Sequence, residues 1–261
     1  MSLGDWLEQH RHKRKRKQIQ KHKKHIKNKF GQGEDRQKAV EFFSELGGQV
    51  GFSGLLERFM VNVEPSIRDE EEKQRVFEIL IDGGAEVVPA IREYLHRKDA
   101  ANVPVTWTLK VLDAVCAPEE AVSVIIGALE HMGTSYTREP ERKQVLVTQL
   151  AEYDDERVVP ALLPFLYDHR DEVQLEALAA LTRRADERAR EPMLELMLDE
   201  ETPVRIRAQI AEALQQLGWT VKGYRKKVEH VLPEGLSVDR GGRIKGRWLL
   251  APPQDDQLEA R

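Results

Sequence analysis

One nine-residue segment of this 261-residue chain occurs twice and constrains what the rest can fold into. Val87-Val88-Pro89-Ala90-Ile91-Arg92-Glu93-Tyr94-Leu95 returns 71 residues later as Val158-Val159-Pro160-Ala161-Leu162-Leu163-Pro164-Phe165-Leu166. Both copies place apolar residues at offsets 0, 1, 3, 4, 7 and 8, which is one face of an α-helix. Both also place proline at offset 2, inside the first turn, where its missing N–H has no helical partner to lose. An amphipathic helix that recurs in this way is the mark of an α-solenoid, in which stacked hairpins bury a shared core. That architecture points to binding as the class of function.

The helical period extends well beyond the repeat. It predicts hairpins at 36–46 with 52–61, 70–81 with 87–97, 104–115 with 119–131, 141–153 with 158–167 and 173–184 with 189–198, and a last helix at 203–217. About five hairpins at a pitch of roughly 31 to 36 residues suit an all-α solenoid over 34–218. Past Gly218 the texture changes. Trp219, Val238, Ile244 and Trp248 surround a Gly241-Gly242 turn, which predicts a short β-hairpin within 219–251 that caps the open end of the last repeat. Pro252-Pro253 and the residues after it form a loose tail over 252–261.

A formal net charge of −4 conceals a sharp separation. Residues 9–33 carry 11 Lys and Arg, four His and no acidic side chain, whereas residues 34–221 carry 21 basic against 37 acidic side chains, a net of −16. The cations of the first segment are Arg11, Lys13, Arg14, Lys15, Arg16, Lys17, Lys21, Lys23, Lys24, Lys27 and Lys29. Like charges at i, i+4 repel, and Ile19, Ile26 and Phe30 offer little apolar surface, so 1–33 is expected to be a flexible polycationic arm. A second basic group, Arg225, Lys226 and Lys227, stands among eight basic and three acidic residues of 222–247. Both groups are candidate polyanion-binding residues.

Finer spacing brings in a family. Asp168-His169-Arg170-Asp171-Glu172-Val173-Gln174-Leu175-Glu176-Ala177 aligns, 31 residues on, with Asp199-Glu200-Glu201-Thr202-Pro203-Val204-Arg205-Ile206-Arg207-Ala208. An apolar helix ending in Leu-x-Asp, an acidic turn, then Val-Arg and an Ala-rich helix resembles the HEAT repeat, particularly its short bacterial form related to bilin lyase repeats. The resemblance covers roughly 36–217. It implies a structural ladder of hydrogen bonds between neighbouring repeats at Asp168, Asp199 and Arg205, with Gln174 interrupting it where arginine is expected. Alkylpurine DNA glycosylases also use such repeats, around an aromatic residue and an Asp that Trp107 and Asp113 loosely match; the acidic repeats here depart from their cationic lining.

Catalytic signatures are missing: the sequence has no phosphate-binding glycine loop, Gly-x-Ser-x-Gly elbow or His-Glu-x-x-His pair. Glu70-Glu71-Glu72 and Asp154-Asp155-Glu156 sit at expected helix starts, where they complement the helix dipole. The lone Cys116 lies in an apolar helical context and reads as an inert, buried thiol. His10, His12, His22 and His25 could meet a metal only in competition with adjacent cations, so no metal or cofactor is expected; their protonation below about pH 6.5 would add charge instead. No apolar run is long enough to span a bilayer and the N-terminus lacks the apolar core of a signal peptide, so the chain is expected to stay in the cytoplasm.

The expected function is therefore that of a non-enzymatic scaffold or adaptor, binding proteins with basic segments on its acidic repeats, with the arm as a second contact. The alternative is nucleic-acid association through the phosphate backbone at residues 9–29. Anionic membranes are a further target, with Leu3, Trp6 and Leu7 as anchors, and so is self-association of the arm with the acidic repeats.

Overall fold

The computed structural model describes residues 3–97, 104–138 and 140–247. The chain divides into two compact units, Met1–Gly133 and Thr134–Arg261, within what the sequence suggests is one block over 34–218. No described helix is long and apolar enough to cross a membrane. Trp248, the tail over 252–261 and the side chains of Leu3, Trp6 and Leu7 lie outside the described residues.

The first unit departs most from expectation at its start. The basic segment is not a loose arm but a 24-residue helix, α1 (Leu3–Ile26). It packs on α2 (Gly33–Leu46) and α3 (Gly48–Leu56). The isolated segment lacks what the folded unit supplies, namely an apolar seat and a counter-charge. Ile26 is fully buried, His22 stacks on Phe42 with ring centroids 4.1 Å apart, and Lys27 meets Glu57 at 2.9 Å. The two helices of the next layer pass very close: a methyl on Gly54 of α3 would collide with the ring of Phe43 of α2, so only glycine fits.

Helices α4 (Ser66–Asp82), α5 (Val88–Leu95), α6 (Thr106–Val115) and α7 (Pro118–Met132) complete the unit. Between α3 and α4 lies a network of buried charge. The Arg58 side chain, fully buried, donates to Glu72 Oε2 at 2.9 Å, Asp69 Oδ1 at 2.7 Å and the Val61 carbonyl at 2.9 Å. Arg36 grips Glu72 with two bonds of 2.9 and 2.8 Å and donates onward to the carbonyls of Asn28 and Gly31. Lys73 closes on Asp69 Oδ2 and Asn62 at 2.6 Å each. Burial raises the Asp69 pKa, but hydrogen bonds from Lys73, Arg58 and the Val63 N–H outweigh it, and the net shift is downward. Glu72 is lowered in the same way, its burial outweighed by Arg36 and Arg58.

In the second unit, α8 (Glu141–Ala151), α10 (Asp171–Arg184) and α12 (Val204–Gln216) pack side by side, α10 in the middle. Their partners are α9 (Val158–Leu162), which continues as a 3₁₀ turn over Leu163–Tyr167, and α11 (Arg190–Leu198). The repeated segment largely behaves as its stripe requires: Val87, Val88, Ala90, Ile91, Tyr94 and Leu95 are buried in the first unit, and Val158, Val159, Leu162, Phe165 and Leu166 in the second, where Ala161 is half-buried. Pro164 accounts for the difference between copies. It has no N–H to give to Pro160, so the helix tightens to 3₁₀, whereas the first copy, with Glu93 there, stays α-helical.

Arg225–Val231 forms a short helix, α13, not foreseen from the sequence, with Val228 buried. Strands β1 (Leu236–Val238) and β2 (Ile244–Gly246) pair antiparallel, Val238 opposite Ile244, and β2 packs on α12.

Acid should loosen the first unit. Because Asp69 and Glu72 have lowered folded pKa values, the stability they contribute is fully present above the unfolded carboxylate pKa of about 4.3 and is lost as pH falls through the folded values. Thermal melts from pH 7 to pH 3 are expected to show Tm dropping below about pH 4.5, and dropping less steeply in Glu72→Gln; a flat profile contradicts the network. In the second unit, Lys143 donates to Asp168 Oδ2 at 2.6 Å with both side chains buried. Lys143→Met strands that carboxylate and should cost about 3 to 5 kcal/mol in urea unfolding. Lys143→Met with Asp168→Asn, which keeps the oxygen that caps Arg170 N, should recover most of the loss.

Candidate interaction surfaces

The basic helix α1 has two different halves. From Ile19 onward one face is covered by α2 and α3, and its cations are occupied: Lys23 and Lys27 meet Glu57 at 3.8 and 2.9 Å, and Glu57 also accepts from Arg97 at 2.9 Å. His22 sits against Phe42 and Phe43, and burial, then the charges of His25 and Lys21, lower its pKa. Lys29 lies over the exposed Phe30 ring at 4.8 Å. Toward the N-terminus Arg11, Lys13, Arg14, Lys15, Arg16 and Lys17 are all exposed, as are Lys21 and Lys24. Arg11, Arg14, Lys15 and Gln18 line a groove with Phe42, Glu45 and Leu46 of α2.

The second basic group belongs to the other unit, on α13. Arg225 is held by Glu229 at 2.9 Å and by the Val238 carbonyl at 3.2 Å, while Lys226 and Lys227 are exposed.

Ties between repeats form at a turn that the ladder pattern does not include. Arg183 donates to Glu152 at 2.9 Å, Arg184 to the Tyr153 carbonyl and Asp154 at 3.0 and 3.2 Å, and Arg190 to the Thr220 carbonyl at 2.8 and 2.6 Å. Each partner is 30 or 31 residues earlier or later, one repeat away, and that spacing was the available signal. In the same turns Asp155 and Asp186 cap the N–H of Arg157 and Arg188; the Arg157 side chain and N–H push Asp155 down to about 2.

The positions singled out for a ladder behave differently from one another. Asp168 is 1% exposed and bonds Lys143, which stands 31 residues before Gln174 and 62 before Arg205 in the same repeat position. Gln174 turns back to the Asp168 carbonyl at 2.7 Å, so no cation reaches Asp199 from it. Asp199 caps Glu201 N at 2.9 Å and is exposed, and exposed Arg205 lowers the pKa of Glu172 across the repeat as a minor contributor behind the Arg170 hydrogen bond.

That exposed aspartate joins an acidic edge. On α11 Glu191, Glu195 and Asp199 recur every four residues, with Glu200 and Glu201 in the following turn, while Met193, Leu194, Leu196 and Met197 face the core. Two tyrosines rim it. Tyr167, 44% exposed, donates to the Pro192 carbonyl, and burial, then Glu195 and Asp199, raise its pKa; Tyr224 donates to Glu191.

The remaining candidates resolve into packing. Cys116 is half-buried, its thiol bonded to the Leu112 carbonyl and its pKa raised by burial and then by Glu120 and Asp113, which keeps it protonated and unreactive. Trp107 stacks on Phe59 at 5.7 Å under Lys110 rather than facing a site built around Asp113. Among the described residues no three His, Cys, Asp or Glu gather in metal-binding geometry.

Compared with known proteins, residues 135–215 match the family model for HEAT repeats, over the stretch where α8, α10 and α12 stack. No curated protein and no solved structure matches the chain. The repeat spacing, the stacked helices and the family match agree, and residues 135–215 are HEAT repeats.

Proposed function

We propose that this protein is a non-enzymatic interaction scaffold that holds partners bearing Lys- and Arg-rich segments on the acidic edge of α11, with the basic helix α1 as a second contact. HEAT repeats commonly serve as protein-interaction scaffolds. The observation that carries the proposal is the coincidence of five exposed carboxylates on α11 and the turn after it with Tyr167 and, beyond the matched repeats, Tyr224, both bonded to α11. Carboxylates draw in a basic segment and discriminate against acidic ones, and tyrosine rings give its guanidinium or ammonium groups a flat apolar face.

A labelled Lys/Arg-rich peptide titrated into the full chain tests this. Reversing two charges, Glu195→Lys with Asp199→Lys, should weaken the peptide by about tenfold at low salt, since each exposed pair is worth about 0.2–1 kcal/mol and reversal turns attraction into repulsion. Equal affinity for the two proteins would remove α11 as the contact.

A further inference from the structure

We infer that the outer face of α1 and the turn that follows it bind the surface of anionic phospholipid membranes, with the lysines on the headgroups and the Phe30 ring set between them. This gives the second contact a partner, and so rests on the proposed function for α1 alone.

The face is defined by what the rest of the helix is doing. His22 and Ile26 are seated against the unit, Ile26 fully buried and His22 stacked on Phe42. Arg11, Arg14 and Lys15 line the groove with α2. At about 100° per residue, the exposed Lys13, Lys17, Lys21 and Lys24 fall within a sector of about 80°, roughly opposite His22 and Ile26. At about 1.5 Å per residue the row runs for roughly 16 Å. None of the four has an ion-pair partner among the described residues, and residues 9–33 contain no acidic side chain to blunt the row.

The row leads into an apolar side chain that packing does not explain. Phe30 is 88% exposed, more than any other large apolar residue among those described. Its turn is held firmly. Buried Arg36 donates to the carbonyls of Asn28 and Gly31 at 3.1 and 2.8 Å, and the Phe30 N–H donates to Asn28 Oδ1 at 3.2 Å. The turn thus gives its carbonyls to Arg36 and leaves Lys29 and Phe30 exposed, with Lys29 Nζ 4.8 Å from the ring centroid.

A one-sided row of lysines is neutralised all at once by a plane of anions, and an aromatic ring at its end gains from a plane that is also apolar beneath. The surface of an anionic bilayer is both. Lysine stems are long enough for the ammonium groups to stay at headgroup level while the ring sits deeper. Duplex DNA would engage the same lysines, but its phosphates and sugars offer Phe30 no apolar seat. Single strands stack their bases on successive aromatic rings, and residues 9–29 include no Phe, Tyr or Trp to continue such a platform.

The test is co-sedimentation of the full chain with phosphatidylcholine vesicles, with and without phosphatidylserine, over a range of salt. Binding should require phosphatidylserine and weaken as salt rises. Lys17→Gln with Lys21→Gln should lower the partition coefficient roughly 25-fold, near fivefold for each lysine at an anionic surface. Phe30→Ser leaves the charge unchanged and should still weaken binding several-fold. Phe30→Trp supplies a readout that electrostatics alone does not move: on phosphatidylserine vesicles its emission should shift to the blue, and brominated lipid should quench it beyond the unaltered chain. These positions are exposed, and circular dichroism checks that each variant folds. No sedimentation with phosphatidylserine vesicles, or an affinity that either Phe30→Ser or the double lysine variant leaves unchanged, would overturn the inference. So would a mixed-sequence DNA duplex that strips the protein from vesicles at matched anionic charge and near-physiological salt. Titrating the basic peptide into the same protein separates the two contacts. Peptide bound without vesicles ends this inference and leaves the α11 edge standing; vesicles bound without peptide removes α11 and leaves this contact in place.

Discussion

Everything distinctive about the first unit depends on two shared carboxylates. Glu72 is held by Arg36 and Arg58 together, and Asp69 by Arg58 and Lys73, so side chains from three parts of the chain neutralise one another out of water. Such a network is a poor source of net stability, because desolvating the ions offsets much of what their attraction gains. It does fix register: its pairs tie α2, α4 and the turn between Glu57 and Val61 together, and separating any of them leaves a charge unpaired. Through Arg36 the same constraint reaches the carbonyls of Asn28 and Gly31, the two that shape the connection into α2. The aim of the basic helix is thus set from its base by buried charge.

That arrangement gives one helix two electrostatic characters. Lys23 and Lys27, near its C-terminal end, are spent on Glu57, whereas Lys21, Lys24 and the cations from Arg11 to Lys17 face solvent. A helix composed like residues 9–26 has little reason to form alone. Docking removes the largest cost by fixing its lower turns, and the upper turns then add one hydrogen bond for each residue ordered.

What was legible beforehand followed from periodicity. The apolar stripe at Val87–Leu95 and Val158–Leu166 is buried as its spacing demands, and the glycine-rich breaks after Leu46 and Asp82 separate helices. What stayed hidden depended on partners distant in sequence. Nothing within residues 1–33 reveals that Phe42 and Glu57 will receive His22 and Lys27. Arg183 and Arg184 look like ordinary helix C-terminal cations until Glu152 and Tyr153 are brought beside them. Lys143 stays inconspicuous because it is a lysine at a position where the repeat pattern expects arginine, although the 31-residue register passes through it.

Asp168 and Asp199 are near-twins in backbone: φ −65° and ψ 148° against φ −68° and ψ 129°, each capping the N–H two residues on. One is locked inside by Lys143, and the other stands in water because residue 174 is a neutral glutamine. A single side chain in the neighbouring repeat therefore separates an aspartate bound into the core from one left open to solvent. Repeat arrays of this kind can leave a rung unmade with the backbone unchanged, and the exposed Asp199 at the end of α11 stands at such a rung.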